Sequence, residues 1–215
     1  MTVTLVAITR PVMEAVNTPG DLIAFCARVS NPANQRNSET APKLLRYLVD
    51  KHHWSPFEMA HMVLGITTTR DVAHQLLRHR SFSFQEFSQR YAAVTAPPVL
   101  SRARLQDATN RQASHETDDE QLQGWWHTAQ QNAAQFTALT YQHALDRGIA
   151  KEVARKVLPE GLTTTTLYMA GTIRSWIHYV QERTSPSTQR EHRDIATACK
   201  AILLREFHAL AEVLA

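Results

Sequence analysis

The chain has 215 residues, of which 43% are hydrophobic and 20% are charged, and its net charge is +3. These values suit one globular domain over residues 1–215, and the small net charge does not indicate a nucleic-acid-binding protein. No apolar run approaches the ~20 residues of a membrane span, and residues 1–8 lack the features of a signal peptide, so we expect a soluble, cytoplasmic protein without a membrane partner.

Apolar periodicity in the first half of the chain predicts alternating strands and helices. Residues 18–19 read Thr-Pro, which is typical of a helix start, and residues 31–32 read Asn-Pro, which is typical of a helix end. The predicted elements are a strand at 3–8, helices at 18–30 and about 41–52, a strand at 59–69, and a helix from Asp71 with Val72, Leu76 and Leu77 inward.

The second half is predicted to be mainly helical. Its predicted parts are a loop at 78–98, a polar exposed segment at 101–117, a helix at 118–146, a helix at 151–158 with Val153, Val157 and Leu158 inward, a helix from about 172, and a last helix at about 187–213. The threonine-rich residues 163–166 fit either a strand or a helix start. Together the elements predict an α+β fold, with a small, mostly antiparallel sheet flanked by helices and a helical second half.

Both cysteines lie on apolar helical stripes. Their neighbours on these stripes are Leu22, Phe25 and Val29 for Cys26, and Ile195, Ile202 and Leu203 for Cys199. We therefore expect two buried, unreactive thiols and no cysteine nucleophile, and a disulfide is not expected in the cytosol.

The segment at residues 78–91 reads RHRSFSFQEFSQRY and holds three arginines in fourteen positions. Guanidinium groups this close repel one another unless an anion lies among them, and the fork of donors on Arg matches phosphate or carboxylate. The interleaved Phe residues predict partial burial, which favours a small-molecule site over a solvated basic face or a nucleic-acid patch. Glu86 is unsuited to contacting an anion, but it is suited to orienting an Arg or to accepting from a ring N–H of a ligand.

A second polar cluster occupies residues 52–58, which read HHWSPFE. Pro56 fixes a turn that would bring His53, Ser55 and Glu58 together. On spacing alone, a loop with ordinary surface histidines explains the cluster equally well.

Three further arginines lie on predicted helices. Arg155 is part of an amphipathic segment, EVARKVLP at 152–159, where a solvated Arg is the simplest interpretation. Arg174 and Arg183 are nine residues apart on one helix, so they point in roughly opposite directions and would serve different sites.

The triplet Arg78-His79-Arg80, followed by seven residues and then Ser88, resembles the signature of the flavin-dependent thymidylate synthases. The resemblance covers roughly residues 20–91 and 150–191. It continues in Glu86, Arg90-Tyr91, His53-x-Ser55-Pro56-Phe57-Glu58, Ala27-Arg28-Val29-Ser30, the segment from Glu152 to Pro159, Arg174-Ser175 and Glu182-Arg183.

The resemblance implies that the chain makes dTMP from dUMP. The carbon would come from 5,10-methylenetetrahydrofolate and the hydride from reduced FAD, which NADPH commonly reduces. It implies a route without an enzyme cysteine, and a homotetramer whose active sites are built by several chains. No Gly-x-Gly-x-x-Gly follows the first strand, so a Rossmann loop is not expected to hold the flavin.

The resemblance also implies roles for individual residues. The residues implied to bind dUMP are Gln75, Arg78, Glu86, Ser88, Gln89, Arg90, Arg155 and Arg183. Those implied to surround FAD are Ser30, His53, Ser55, Glu58, Arg78, His79, Arg80, Ser81, Glu86, Thr172, Arg174 and His178. Those closest to the chemistry are Arg183, Ser88 and His53, with Ser88 positioning the substrate and His53 assisting proton or folate handling.

Three alternatives stay open on the sequence. Residues 78–90 with their Phe side chains also suit a single-strand-binding module, although that function has no use for Glu86. A metal enzyme finds little support, because no His-Glu-x-x-His occurs and no metal site is predicted. A relative that has lost synthase activity is compatible with Gln85 and Thr172, since the family usually has Asn at position 85 and often at position 172. His178 also stands where the family often has Asn.

Overall fold

A four-stranded antiparallel sheet forms the centre of the structure, a computed structural model that describes residues 1–214. Its strands, in the order β1-β2-β6-β3, are β1 (Thr2–Ile8), β2 (His61–Thr69), β6 (Thr164–Thr172) and β3 (Ser83–Glu86). A separate two-stranded hairpin pairs β4 (Arg104–Gln106) with β5 (Ser114–Glu116). The predicted α+β class with an antiparallel sheet is therefore confirmed.

Seven α-helices lie in the described part of the chain. They are α1 (Pro19–Ala27), α2 (Ala41–Asp50), α3 (Arg70–Leu76), α4 (Glu120–Asp146), α5 (Lys151–Ala154), α6 (Ile173–Arg183) and α7 (Arg190–Glu206). Short 3-10 turns follow at Pro32–Asn34, Ser55–Met59, Arg155–Val157 and His208–Leu210. Among residues 1–214, no helix combines the length and the apolar character needed to cross a bilayer.

The core lies between the sheet and the helices that cover it. Alternate residues of β2, namely Met62, Leu64 and Ile66, are fully buried, as their period of two predicts. Trp176 of α6 packs into the same cluster, and its indole N–H donates to the carbonyl oxygen of Met62 at 3.0 Å. Cys199 on α7 is also fully buried, as expected. This packing fixes α6 against the sheet, so the polar ends of α6 have defined positions.

The loop predicted over 78–98 is wrong for residues 83–86, which form strand β3. Phe82 is buried and Phe84 is half-buried, whereas Ser83 and Gln85 are exposed, so the segment alternates as an edge strand beside β6. The high charge of the segment hid this short alternation. The undecided residues 163–166 contribute the start of β6, and the polar segment at 101–117 contains the β4–β5 hairpin.

Four predicted inward positions are also wrong. Val153 is 50% exposed because Ala154 is the residue of α5 that is buried, and Val157 is 38% exposed because α5 has already given way to the 3-10 turn at Arg155–Val157. Leu77 is 36% exposed because it follows the last residue of α3. Val29 is 68% exposed because α1 ends at Ala27.

The remaining differences concern Cys26 and the ends of α1 and α7. Cys26 is half-buried rather than buried, because α1 turns Ile23 and Ala24 toward the core instead. The guanidinium of Arg28, just beyond α1, donates to the hydroxyl of Thr40 at 2.7 Å, so the chain folds back there rather than extending the helix to residue 30. At the C-terminal end, the predicted helix over 187–213 is shorter, since α7 covers Arg190–Glu206.

Candidate active site

Four of the predicted site residues line one cavity of about 620 Å³ between α3, the end of α6 and the start of α7. They are Gln75, Arg78, His79 and Arg183, and the other lining residues are Gln112, Ser187, Thr188, Gln189 and His192. We call this the Arg183 cavity. It carries two guanidinium groups, so it suits an anionic, polar ligand.

Arg183 is held in the cavity by His79. Its Nε donates to Nε2 of His79 at 3.2 Å, so the neutral imidazole carries its proton on Nδ1. Burial, followed by the charge of Arg183, lowers the pKa of His79, which keeps this acceptor nitrogen free of a proton at neutral pH. Among the described residues, no hydrogen bond engages the two terminal nitrogens of Arg183, which leaves them able to donate to a ligand.

His192 is a site residue that the sequence reasoning missed. Its side chain is only 2% exposed, and its Nδ1 lies 3.2 Å from Oε1 of Gln75. Burial, followed by the charges of Arg183 and His79, lowers its pKa to about 4. The available signal was its place on the stripe of α7, three and seven residues before Ile195 and Cys199, where a polar side chain needs a buried partner.

Ser88 and Arg90 line a second cavity, of about 440 Å³, together with Tyr91 and the start of α5. The Nε of Arg90 donates to Glu152 at 3.2 Å. Arg155 follows in the Arg155–Val157 turn and is half-buried. This cavity and the Arg183 cavity share no lining residue, so the four predicted dUMP arginines do not surround one cavity within a single chain.

A third group forms at the N-terminal end of α6. Glu58, in the Ser55–Met59 turn, forms an ion pair with Arg174, and the rings of Trp54 and His178 lie 4.5 Å apart between centroids. Burial, followed by the charge of Arg174, lowers the pKa of His178, so its imidazole is neutral at physiological pH. The structure thus brings three residues predicted to surround FAD, namely Glu58, Arg174 and His178, to the N-terminal half of α6.

Thr172 and Ser81 are tied to the same end of α6. The hydroxyl of Thr172 caps the helix by accepting from the backbone N–H of Ser175 at 3.1 Å. The hydroxyl of Ser175 donates to the carbonyl oxygen of Ser81 at 3.2 Å. Thr172, which departs from the family pattern, therefore has a structural role as the N-terminal cap of α6.

The other residues predicted to contact FAD are more dispersed. Ser30, His53, Ser55 and Arg80 are exposed, and the ring of His53 lies 6.1 Å from that of Tyr47 between centroids. Their side chains are therefore accessible, but the structure shows no direct contact that joins them to Arg174.

Glu86 and Gln89 face the protein rather than an open cavity. The Glu86 carboxylate accepts from Arg70 at 3.1 Å and from the hydroxyl of Thr165 at 2.8 Å. The sequence indicated that Glu86 is suited to orienting an Arg, and the structure shows that its partner is Arg70, outside the Arg-rich segment. Gln89 is 4% exposed, and its amide nitrogen has no partner among the described residues.

The fold and these cavities define the class of protein: an α+β protein with arginine-lined cavities, which suit small anionic ligands. The chain belongs to the thymidylate synthase complementing protein family, which it matches over residues 11–207. The family resemblance identified from the Arg-His-Arg motif is therefore confirmed.

Relatives and a solved structure agree with this assignment. The chain is 53% identical, over 100% of its length and 99% of the relative, to a protein of Paramecium bursaria Chlorella virus 1 named as a probable flavin-dependent thymidylate synthase. It is 49% identical, over 91% of its length and 89% of the relative, to the flavin-dependent thymidylate synthase of a Synechocystis strain. The UMP/dUMP methylase PolB of Streptomyces cacaoi, solved with 5-Br dUMP, superposes with a TM-score of 0.80 at 28% identity, covering 98% of this chain and 94% of PolB.

Proposed function

We propose that this chain is a flavin-dependent thymidylate synthase, an enzyme that methylates dUMP to dTMP reductively. 5,10-Methylenetetrahydrofolate is the carbon donor, and NADPH reduces the FAD. The observation that carries the proposal is the Arg183 cavity, where Gln75, Arg78 and Arg183 converge in a chain 53% identical to a protein named as such a synthase.

The dUMP-binding residues divide into a phosphate group and a ring group. Arg90 and Arg155 suit the phosphate because their guanidiniums can donate two parallel hydrogen bonds to it. Arg183, whose plane is fixed by His79, suits the uracil carbonyl. There it stabilises the negative charge that develops when C6 of the ring accepts a hydride. Ser88 positions the substrate as a hydrogen-bonding hydroxyl rather than as a nucleophile.

The donor set around α6 fits FAD. The diphosphate of FAD needs cations and N–H donors, which Arg174 and the accessible Arg80 would supply in place of a glycine-rich loop. Trp54 with His178 offers ring surfaces near Arg174. When bound, FAD supplies the hydride. The protein's own task is to hold the flavin and the nucleotide in register and to stabilise charge.

Both thiols are poorly suited to act as the nucleophile. Burial raises the pKa of Cys199, which is fully buried, and it also raises the pKa of Cys26. A thiol becomes a nucleophile only as the thiolate. This supports a route in which no enzyme cysteine attacks the uracil.

We extend the proposal to a homotetramer, in the cytoplasm, whose active sites are shared between subunits. Two features support this: the separation of the Arg183 cavity from the cavity of Ser88 and Arg90, and the exposed apolar side chains on α4. Trp125 and Phe136 of α4 are 64% and 71% exposed, which is unusual for large side chains that have no partner surface.

Subunit mixing tests the shared site. Arg183→Ala and Arg90→Ala are each expected to abolish most activity, and mixed oligomers of the two inactive variants are expected to regain part of it. Recovery occurs only if one chain supplies Arg183 and another Arg90 to the same site. No recovery, in oligomers shown by native mass spectrometry to contain both variants, contradicts site sharing.

An absorbance and calorimetry experiment tests the function itself. The purified protein should show flavin bands with FAD that bleach anaerobically with NADPH, and it should form dTMP when methylenetetrahydrofolate and dUMP are added. Arg183→Ala should weaken dUMP binding by about 10-fold to 100-fold, the loss of a charge-assisted hydrogen bond, while FAD stays bound. Arg147→Ala, at the end of α4 and outside both cavities, is the matched control. A colourless protein that binds no FAD would refute the synthase function.

A further inference from the structure

We propose that the β4–β5 hairpin sets the orientation of the Gln75 amide in the Arg183 cavity through a chain of hydrogen bonds. The residues of this hydrogen-bond series act as positioning residues for the nucleotide; they are Arg104, Glu191, Gln189 and His192. The inference rests on the proposed function, because the ligand of the cavity is taken to be dUMP. It gives the polar segment at 101–117 a role at the active site.

The chain of hydrogen bonds begins at an ion pair between the hairpin and the first turn of α7. Arg104 donates from both terminal nitrogens to Glu191, at 2.6 and 3.0 Å. Both side chains are about 20% exposed, so the two parallel bonds are partly shielded from water. The hairpin also reaches the cavity directly, because Gln112, between β4 and β5, lines it.

The carboxylate gives the chain of hydrogen bonds a direction, because an ionised carboxylate only accepts. Gln189 must turn its Nε2 toward Glu191, at 3.0 Å, which leaves its Oε1 to accept from Nε2 of Gln75 at 2.6 Å. Oε1 of Gln75 then faces Nδ1 of His192 at 3.2 Å, so the imidazole proton lies on Nδ1. Reversing either amide would place oxygen against oxygen or N–H against N–H.

When the Gln75 amide is held in one orientation, it can pair with a ligand in one alignment only. Gln75 keeps one N–H and one lone pair beyond those used by Gln189 and His192. The uracil ring has an N–H between two carbonyl groups, so an amide pinned in one orientation pairs with this edge in one alignment. Without the chain of hydrogen bonds Gln75 could present either orientation, and part of the binding free energy would be spent on ordering it.

The hairpin offers a matched control. Arg190, also in the first turn of α7, forms an ion pair with Glu116 of β5. This pair holds the same hairpin on the same helix, but neither of its side chains is hydrogen-bonded to the side chains of Gln189 or Gln75. Replacing Arg190 therefore loosens the hairpin without interrupting the chain of hydrogen bonds.

The binding test measures dUMP affinity of the FAD-loaded protein by calorimetry, with Arg104→Met, Arg190→Met, Gln75→Leu and the Arg104→Met/Gln75→Leu double variant. Arg104→Met should weaken binding about tenfold, and Arg190→Met by less than about twofold. In the Gln75→Leu background, Arg104→Met should add less than about twofold, because its effect acts through Gln75. Equal losses for the two Arg variants, or an undiminished Arg104→Met loss without Gln75, would overturn the inference.

A ligand-free measurement separates this inference from the proposed function. In protein labelled with 15N-histidine, two-bond NMR couplings should show His192 protonated at Nδ1, and the loss of its signal in His192→Asn assigns it. Arg104→Met should shift the ring toward the other tautomer, and Arg190→Met should not. A ring protonated at Nε2 in the unaltered protein would overturn the chain of hydrogen bonds. Unaltered protein that binds FAD but not dUMP would instead refute the proposed function.

Discussion

Replacing Gly171 of β6 by Ala tests how tightly the sheet holds Phe82, near the start of the Arg-rich segment. A Cβ atom at this position would lie 2.5 and 2.6 Å from Cδ1 and Cε1 of Phe82, whereas ordinary carbon contacts are about 3.5 Å or longer. The ring of Phe82 has little room to yield, because it packs edge-on against Trp176 at 4.8 Å between centroids. Gly171→Ala must therefore displace Phe82 by about 1 Å or bend β6.

The expected cost follows from these contacts. Overpacking of a closed core costs about 1–3 kcal/mol, against which the lower backbone entropy of Ala returns about 0.5–1 kcal/mol in a strand. We expect Gly171→Ala to lower the free energy of unfolding by about 1–2 kcal/mol. Because Phe82 follows Ser81, whose carbonyl oxygen is bonded to Ser175, the shift should also weaken FAD binding.

Urea unfolding followed by circular dichroism measures the change. Gly124→Ala is the control, since a Cβ at that position in α4 meets nothing within 4 Å and should raise stability by up to about 1 kcal/mol. Phe82→Leu should relieve the clash, so the double variant should lose less than the sum of the single losses. The reasoning fails if Gly171→Ala is as stable as the unaltered protein or if the two losses add.

Three other predictions concern buried groups. Because the pKa of His192 is lowered to about 4 from 6.5, the native state stays neutral while the unfolded chain binds a proton. Stability should therefore fall by about 3 kcal/mol between pH 6.5 and 4, and by less in His192→Asn; equal falls in urea midpoints would contradict this. Glu86→Gln leaves Arg70 without its carboxylate and should lower the free energy of unfolding by about 1–3 kcal/mol. Glu212→Gln removes a carboxylate from an exposed pair and should lower it by less than about 1 kcal/mol. Equal losses in urea titrations would contradict the role of burial. Cys199, whose pKa is raised by burial, should resist iodoacetamide until urea unfolds the protein; prompt labelling, seen by mass spectrometry, would contradict its burial.

The sequence predicts a strand or helix well where burial of one face determines the pattern of apolar residues. The strand predicted at 59–69 and the helix predicted from about 172 are both present, because each buries one face: Met62 and Leu64 of β2 and Trp176 of α6 are fully buried. Strand β3 was missed because it is only four residues long and its pairing with β6 is distant in sequence. Local patterns also failed at Val157, because the predicted helix over 151–158 changes to a 3-10 turn after Ala154.

In the candidate site, too, local patterns do not predict contacts that depend on tertiary packing. Arg78 and Arg183 could be placed together only through the family resemblance. They are far apart in the sequence and are joined by tertiary packing, which no local pattern reports. His192 was missed because its place on the apolar stripe of α7 indicates that it needs a buried partner but does not identify that partner. Its partner, Gln75, lies on α3, and this contact appears only when α3 and α7 are packed.

Helix α6 connects the two halves of the proposed site. Nine residues of α-helix span about 13 Å and two and a half turns, so Arg174 and Arg183 project from opposite sides near its two ends. Their partners confirm this, since Arg174 contacts Glu58 and Arg183 contacts His79. Both side chains therefore depend on the packing of Trp176 against β2. Damage to that packing should disturb the flavin and nucleotide groups together, whereas replacement of Arg183 should affect the nucleotide alone.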